Sequence, residues 1–130
     1  MAKIYLAAAF SRQKEMCGYR GQLAARGHKV TSRWVDHPGP DSMLEPREKA
    51  VACANVDIAD LLEAEVVIIF TGVPSTRGGY HTELGIVIGS STPRHVFIVG
   101  PRENIFQSMP GIEQFDTWDQ ALAHSLLRSS

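Results

Sequence analysis

Apolar and polar positions follow two different periods along this chain, and the change from one period to the other separates predicted strands from predicted helices. The strands are short apolar runs at 3–8, 28–34, 66–70, 95–99 and 112–115. The helices have apolar or small residues three and four positions apart, over 11–26, from about 46 to 62, over a stretch ending near 91, and from about 117 onward. The predicted order is therefore β-α-β-α-β-α-β-loop-β-α.

Strands that alternate with helices favour a parallel sheet, because each right-handed crossover places a helix on one of its faces. The runs VVIIF at 66–70 and HVFIV at 95–99 are continuously apolar, which is typical of strands buried on both faces. We predict one α/β domain over 1–130, a doubly wound, parallel, five-stranded sheet of the flavodoxin-like or Rossmann-like kind. Ligands bind such sheets at the carboxyl ends of the strands.

Composition restricts the class of partner. Thirteen basic and fourteen acidic residues give a formal net charge of −1, and no block of like charge suggests a nucleic-acid or membrane surface. The two cysteines, Cys17 and Cys53, have no metal-binding spacing and indicate a reduced, cytoplasmic chain. No run approaches the roughly 18 apolar residues of a membrane span. We therefore expect a small-molecule partner.

The stretch STRGGYHTELG at 75–85 leaves a buried strand through two glycines and then places Glu83 near the start of a helix. We expect Glu83 in the first turn, beside free backbone N–H groups that keep its carboxylate ionised. Two interpretations stay open at this point. Glu83 either complements the helix dipole only, or forms a site together with Gly78 and Gly79.

Two carboxylates on the second predicted helix are also candidates. Asp57 and Asp60 are three residues apart and share one face, at which Asp57 can face a pocket. The other face takes the apolar side chains of Ile58, Leu61 and Leu62. The alternative is that both aspartates are solvated surface charges.

Polar side chains near the predicted strand ends complete the candidate set. Tyr5 lies within the first strand, and its hydroxyl needs a partner if the ring is buried. The remaining candidates can bind a carboxylate, phosphate or sugar oxygen, or lie beside the glycines: Ser11, Arg12, Ser75, Arg77 and His81. Ser11 has the alternative role of a helix N-cap. The histidines show no metal-binding pair, so no metal site is predicted.

Three stretches taken together resemble the nucleoside 2-deoxyribosyltransferase family and its nucleoside-monophosphate N-glycosidase relatives. They are KIYLAAAFSR at 3–12, VDIADLLEAEVVIIF at 56–70 and PSTRGGYHTELG at 74–85. The resemblance extends over nearly the whole chain and rests on the order and spacing of the three stretches. A departure lies at Thr76-Arg77, where family members often carry a further aspartate.

The resemblance implies a role for each central residue. Glu83 is the nucleophile that attacks the anomeric carbon of the sugar, Asp57 assists the base or orients the sugar, and Tyr5 positions Glu83. Gly78 and Gly79 let the backbone approach the sugar closely. Neither a metal nor an organic cofactor is expected.

We therefore predict an enzyme that cleaves or transfers at the N-glycosidic bond of a (2-deoxy)ribonucleoside or its 5′-monophosphate. Arg77, with Ser75 and Ser11, suits a 5′-phosphate, so nucleotide hydrolysis rivals base exchange. The alternatives are a non-catalytic nucleotide-binding or sensing domain, and an N-glycosidase acting on NAD-like or cyclic ADP-ribose ligands. The resemblance also implies a homodimer or larger homo-oligomer. Gly85 and Gly89 would allow a helix of another copy to pack closely; the alternative is that they allow their own helix to pack closely on the sheet.

Overall fold

The sheet has the predicted parallel architecture. The computed structural model describes residues 1–37, 46–73 and 78–129. Its strands are β1 (Lys3–Ala7), β2 (Lys29–Val30), β3 (Val66–Phe70), β4 (His95–Val99) and β5 (Ile112–Phe115). All neighbouring pairs are parallel and the order is β2-β1-β3-β4-β5. The strand order reverses between β1 and β3, and the carboxyl ends at such a point are where these sheets bind ligands.

Helices cover both faces of the sheet. They are α1 (Gln13–Ala25), α2 (Arg47–Glu63), α3 (Gly79–Gly89) and α4 (Trp118–Leu122). Phe70 of β3 stacks against Tyr19 of α1 and lies 5.7 Å from the Trp118 ring of α4, so α1 and α4 share one face. Val67 and Phe70 are three residues apart on β3, so their side chains point to opposite faces of the sheet. Tyr5 is in register with Val67 and points to the same face as Val67. On that second face α2 and α3 contact each other. The predicted doubly wound α/β fold is confirmed.

The second strand is shorter than the sequence predicted. β2 has two residues, and the chain then enters a short 3-10 helix at Arg33–Asp36. Side chains explain the early end: the Leu6 amide donates to Ser32 Oγ at 3.1 Å, and Trp34 Nε1 donates to the Leu6 carbonyl at 2.8 Å. Because side chains occupy the backbone groups that a longer β2 would need, the ladder stops.

The exposed and buried faces of α2 also differ from the prediction. Asp60 is 4% exposed, whereas Ile58 and Leu62 are 39% and 41% exposed. Arg33 pairs with the Asp60 carboxylate through its backbone amide at 3.0 Å and through its guanidinium at 2.8 Å. These partners allow the charge to be buried, so Asp60 and Leu61 face the protein while Ile58 and Leu62 face outward.

Two glycines on α3 face open space. A methyl group built at Gly85 or Gly89 would meet no atom within 4 Å beyond its chain neighbours and the nearby backbone of α3 itself. The alternative that these glycines seat α3 on its own sheet is therefore wrong. None of the helices within the described ranges combines the length and apolarity needed to cross a bilayer.

Candidate active site

The structure brings Tyr5 and Glu83 together, although 78 positions separate them in the sequence. Tyr5 is fully buried in β1, and its phenol Oη donates a hydrogen bond to Oε2 of the half-buried Glu83. A buried phenol needs such a partner, and a carboxylate is a strong one. Burial, and next the Glu83 charge, raise the pKa of Tyr5 far above its ordinary value, so the phenol stays protonated and can donate.

The position of Glu83 along α3 differs from the sequence expectation. α3 begins at Gly79, and no acidic residue lies in its first turn, so Glu83 belongs to the second turn. Burial raises the pKa of Glu83 to about 8, the Tyr5 hydrogen bond opposes that rise, and the charge of Asp57 adds to it. The expectation that Glu83 lies in the first turn is therefore wrong, and desolvation opposes its ionisation where a dipole effect confined to the first turn does not reach it.

Asp57 shares this electrostatic environment from α2. It is half-buried, and burial raises the pKa of its carboxyl, an effect that the His37 charge opposes and the Asp60 charge reinforces. Its charge also raises the pKa values of Tyr5 and Glu83. The site therefore holds two carboxyl groups that retain protons at higher pH than exposed carboxyls do.

His37 is a residue that sequence reasoning missed. It follows the short 3-10 helix after β2, and its carbonyl accepts a hydrogen bond from Gln13 Nε2, which also donates to the Trp34 carbonyl at 2.9 Å. Its charge acts on Asp57. The available signal was its place in RWVDH, at the carboxyl end of the second predicted strand, where ligand-binding residues collect.

The glycine pair forms the entry to α3. Gly78 is the N-cap residue with φ of +74°, a left-handed conformation that a side chain would strain, and Gly79 is the first helical residue. The Gly78 carbonyl accepts from the Thr82 amide and from Thr82 Oγ1, both at 3.0 Å. The predicted binding residues Ser75 and Arg77 lie outside the described residues.

Arg12 and Ser11 occupy the turn between β1 and α1. Arg12 Nε and Nη2 each donate to the Glu15 carboxylate at 2.8 Å, and Nη1 donates to the Thr71 carbonyl at 3.1 Å. The guanidinium also lies 5.5 Å from the centroid of the Phe70 ring. A phosphate would have to compete with Glu15 for this cation. Ser11 is exposed and does not cap α1, whose N-cap residue is Arg12.

His81 points to a different part of the protein from Glu83. Its Nδ1 lies 3.1 Å from Asn104 Nδ2, and its Nε2 lies 3.7 Å from Glu103 Oε1, so the imidazole contacts the connection between β4 and β5. In the ranges that the structure describes, no three His, Cys, Asp or Glu side chains are grouped so that they could hold a metal ion.

Comparison with known proteins gives structural neighbours only. No family model matches the chain, and no curated protein matches it in sequence. A solved structure of a 2-deoxyribosyltransferase from the psychrotolerant bacterium Bacillus psychrosaccharolyticus is similar with a TM-score of 0.72 and 20% identity, covering 99% of this chain and 98% of that one. A CMP N-glycosidase from Clostridium botulinum is similar with a TM-score of 0.56 and 17% identity, covering 92% of this chain and 94% of the other. The chain therefore has, over nearly its whole length, an α/β fold similar to those of a 2-deoxyribosyltransferase and a CMP N-glycosidase, as its sequence resemblance predicted.

Proposed function

We propose that this protein cleaves or exchanges the N-glycosidic bond of a (2-deoxy)ribonucleoside or its 5′-monophosphate, with Glu83 as the nucleophile. The observation that carries the proposal is the hydrogen bond from the buried Tyr5 phenol to Glu83. The neighbouring folds support it, since one belongs to an enzyme named for deoxyribosyl transfer and the other to one named for CMP N-glycoside cleavage.

The chemistry proceeds in two displacements. Ionised Glu83 attacks C1′ of the sugar, and the bond from C1′ to the base nitrogen breaks with its electron pair leaving on the base. Because Tyr5 donates to Oε2, we assign Oε1 to the attack. Water, or the nitrogen of a second base, then attacks C1′, displaces the Glu83 carboxylate from its ester, and gives up a proton to the ionised Asp57 or to solvent. Water gives hydrolysis, and a second base gives exchange.

The leaving base needs a proton unless it already carries positive charge. Asp57 is the group we assign to donate it, because burial raises the pKa of this carboxyl and keeps a proton on it at higher pH than an exposed aspartate would. The form that reacts with such a base is therefore the one in which Glu83 is ionised, as the nucleophile, and Asp57 keeps its proton, as the acid.

A substrate panel tests the proposed function. The protein is incubated with nucleosides, their 5′-monophosphates and NAD, each with and without an acceptor base, and free and exchanged bases are separated by chromatography. The account predicts base release or exchange from at least one nucleoside or monophosphate, and none with Glu83→Gln. Cleavage of NAD alone would instead support the NAD-directed alternative. Tight binding of nucleosides or nucleotides with no release or exchange of a base from any of them would favour the alternative of a non-catalytic binding domain.

Asp57→Asn is expected to lower kcat by about 100-fold on a nucleoside whose base must be protonated to leave. A nucleoside with an N7-methylated purine already carries the positive charge, so its cleavage should retain nearly the wild-type kcat. Asp36→Asn is the matched control, because Asp36 is an exposed aspartate paired with Arg20. Equal losses on both kinds of substrate would show that Asp57 does not donate this proton.

We also propose that two copies of the chain associate through the outer face of α2 and α3. This face exposes Val51, Ile58 and Leu62 on α2 and Ile88 on α3. Exposed apolar side chains can be buried by a partner, and the open space at Gly85 and Gly89 of α3 leaves room for another helix to approach closely.

Gly85→Arg should convert the dimer to a monomer, because the long charged side chain projects into the space that the partner helix would fill. The molar mass in solution, measured by light scattering after size-exclusion chromatography, reports the change. Gly21→Arg on α1 is the control, since that glycine also faces open space but lies on a different helix. A wild-type monomer, or a Gly85→Arg dimer, would contradict the proposed interface.

A further inference from the structure

A second buried tyrosine lies close to Glu83 along α3 and has its own carboxylate partner. Tyr80 is 1% exposed, and its phenol donates to Glu103 Oε1 at 2.6 Å. Glu103 follows β4, on the connection to β5. Tyr80 and Glu83 are three positions apart on α3, so they lie on neighbouring parts of one helical face. A hydrogen bond made by Tyr80 therefore acts on the part of α3 next to Glu83.

The same carboxylate also binds the chain before α3. The Gly72 amide, just beyond the end of β3, donates to Glu103 Oε2 at 3.2 Å. Gly72 precedes the connection to α3, and Tyr80 follows it. One side chain of the connection between β4 and β5 thus bonds to Gly72, just after β3, and to Tyr80, in the first turn of the helix of Glu83.

Glu103 is itself held in place. Its backbone amide donates to Oε1 of the fully buried Gln107 at 2.7 Å. Asn104 caps the following 3-10 helix by accepting from the amides of Phe106 and Gln107. The Glu103 side chain is 23% exposed, so much of it is removed from solvent. A carboxylate fixed at its own backbone and accepting two hydrogen bonds is preorganised, unlike an ordinary surface glutamate.

We propose that Glu103 is a positioning residue, which fixes the start of α3 through Tyr80 and Gly72 and thereby holds Glu83 against Tyr5. His81 lies within 3.7 Å of the same carboxylate and adds a further contact from α3. Glu103 acts through Tyr80 rather than on a substrate. Its kinetic consequence rests on the proposed function, whereas its effect on α3 does not.

Amide hydrogen exchange tests the structural part without any substrate. In Glu103→Gln and in Tyr80→Phe, the amides of the first two turns of α3 should exchange about 10-fold faster than in the wild type, because a hydrogen bond to a charged group is lost. Glu113→Gln is the control: it removes an exposed glutamate of β5 that pairs with His124 at 3.2 Å. Unchanged exchange in α3 for both test variants would overturn the proposal, and a thermal unfolding curve establishes that each variant is folded.

Kinetics test the consequence for the reaction. Each test variant should lower kcat by about 10- to 100-fold with a much smaller change in KM, because a misplaced nucleophile slows the chemical step. The variant that carries both substitutions should be no slower than the slower single variant, because both substitutions act on the same hydrogen bond, from Tyr80 to Glu103. The proposal would be overturned if the kcat losses of the two single variants multiplied in the double variant, or if Glu113→Gln lost as much kcat as they do. A wild type without activity would count against the proposed function, and the exchange measurement would still decide the role of Glu103.

Discussion

Glu83→Gln is expected to lower kcat for N-glycosidic cleavage by about 10⁴-fold or more, while KM changes by no more than about threefold. Glutamine has nearly the same shape and can still accept the hydrogen bond from the Tyr5 phenol, so the pocket should be preserved. Its amide oxygen is a much poorer nucleophile than a carboxylate and cannot form the glycosyl ester. Steady-state rates on the best substrate of the panel measure the loss.

Glu48→Gln provides the matched control for that loss. Glu48 is an exposed glutamate in the first turn of α2, and we expect its replacement to leave kcat unchanged. If Glu83→Gln retained a tenth or more of the wild-type kcat, the reaction could not depend on a nucleophilic Glu83.

Tyr5→Phe is expected to move the pH dependence of kcat/KM toward higher pH. The Glu83 carboxyl is protonated below its pKa of about 8 and ionised above it. On the nucleoside with an N7-methylated purine, whose base needs no proton from Asp57, wild-type kcat/KM should therefore rise with pH through that value. The Tyr5 hydrogen bond stabilises the ionised form and lowers this pKa. Without the hydroxyl the pKa rises, by about one unit for a hydrogen bond to a charged group. The loss should therefore be about tenfold near neutral pH and small at pH 10.

The measurement is a profile of kcat/KM from mildly acidic to strongly alkaline pH. Tyr19→Phe is the control, because Tyr19 donates to Glu15 and stacks on Phe70, on the opposite face of the sheet from Tyr5. Its profile should keep the wild-type midpoint. A Tyr5→Phe profile with the same midpoint, or one moved to lower pH, would show that this hydrogen bond does not favour the ionised Glu83.

The change between strand-like and helix-like spacing of apolar residues was sufficient to predict the order of strands and helices, because each strand or helix buries its own apolar side chains against the core. It could not predict where β2 ends or which residues α2 buries. β2 ends because Ser32 and Trp34 bond to Leu6, and Asp60 is buried because Arg33 neutralises it. These partners are more than twenty positions apart in the sequence, and no local pattern relates them.

The residue pattern supplied Tyr5, Asp57 and Glu83 as separate candidates, and only the family resemblance predicted that Tyr5 positions Glu83, since periodicity gives no reason for these two residues to meet. The electrostatics of the candidate site were not predictable in the same way. The sequence placed Glu83 one turn too early, and it gave no sign that burial by distant elements raises the pKa of this carboxyl. Arg12 shows the same limit, since the sequence reveals a cation, whereas only the fold reveals that Glu15 and the Thr71 carbonyl already bind it.

The most direct test of the nucleophilic role is to trap the glycosyl ester on Glu83. The protein is mixed with the best substrate, quenched in acid within one turnover, digested and examined by mass spectrometry. The account predicts that the peptide containing Glu83 gains the mass of one sugar unit, and that Glu83→Gln shows no such adduct. Base release at the wild-type rate by Glu83→Gln, with no adduct in either protein, would contradict it.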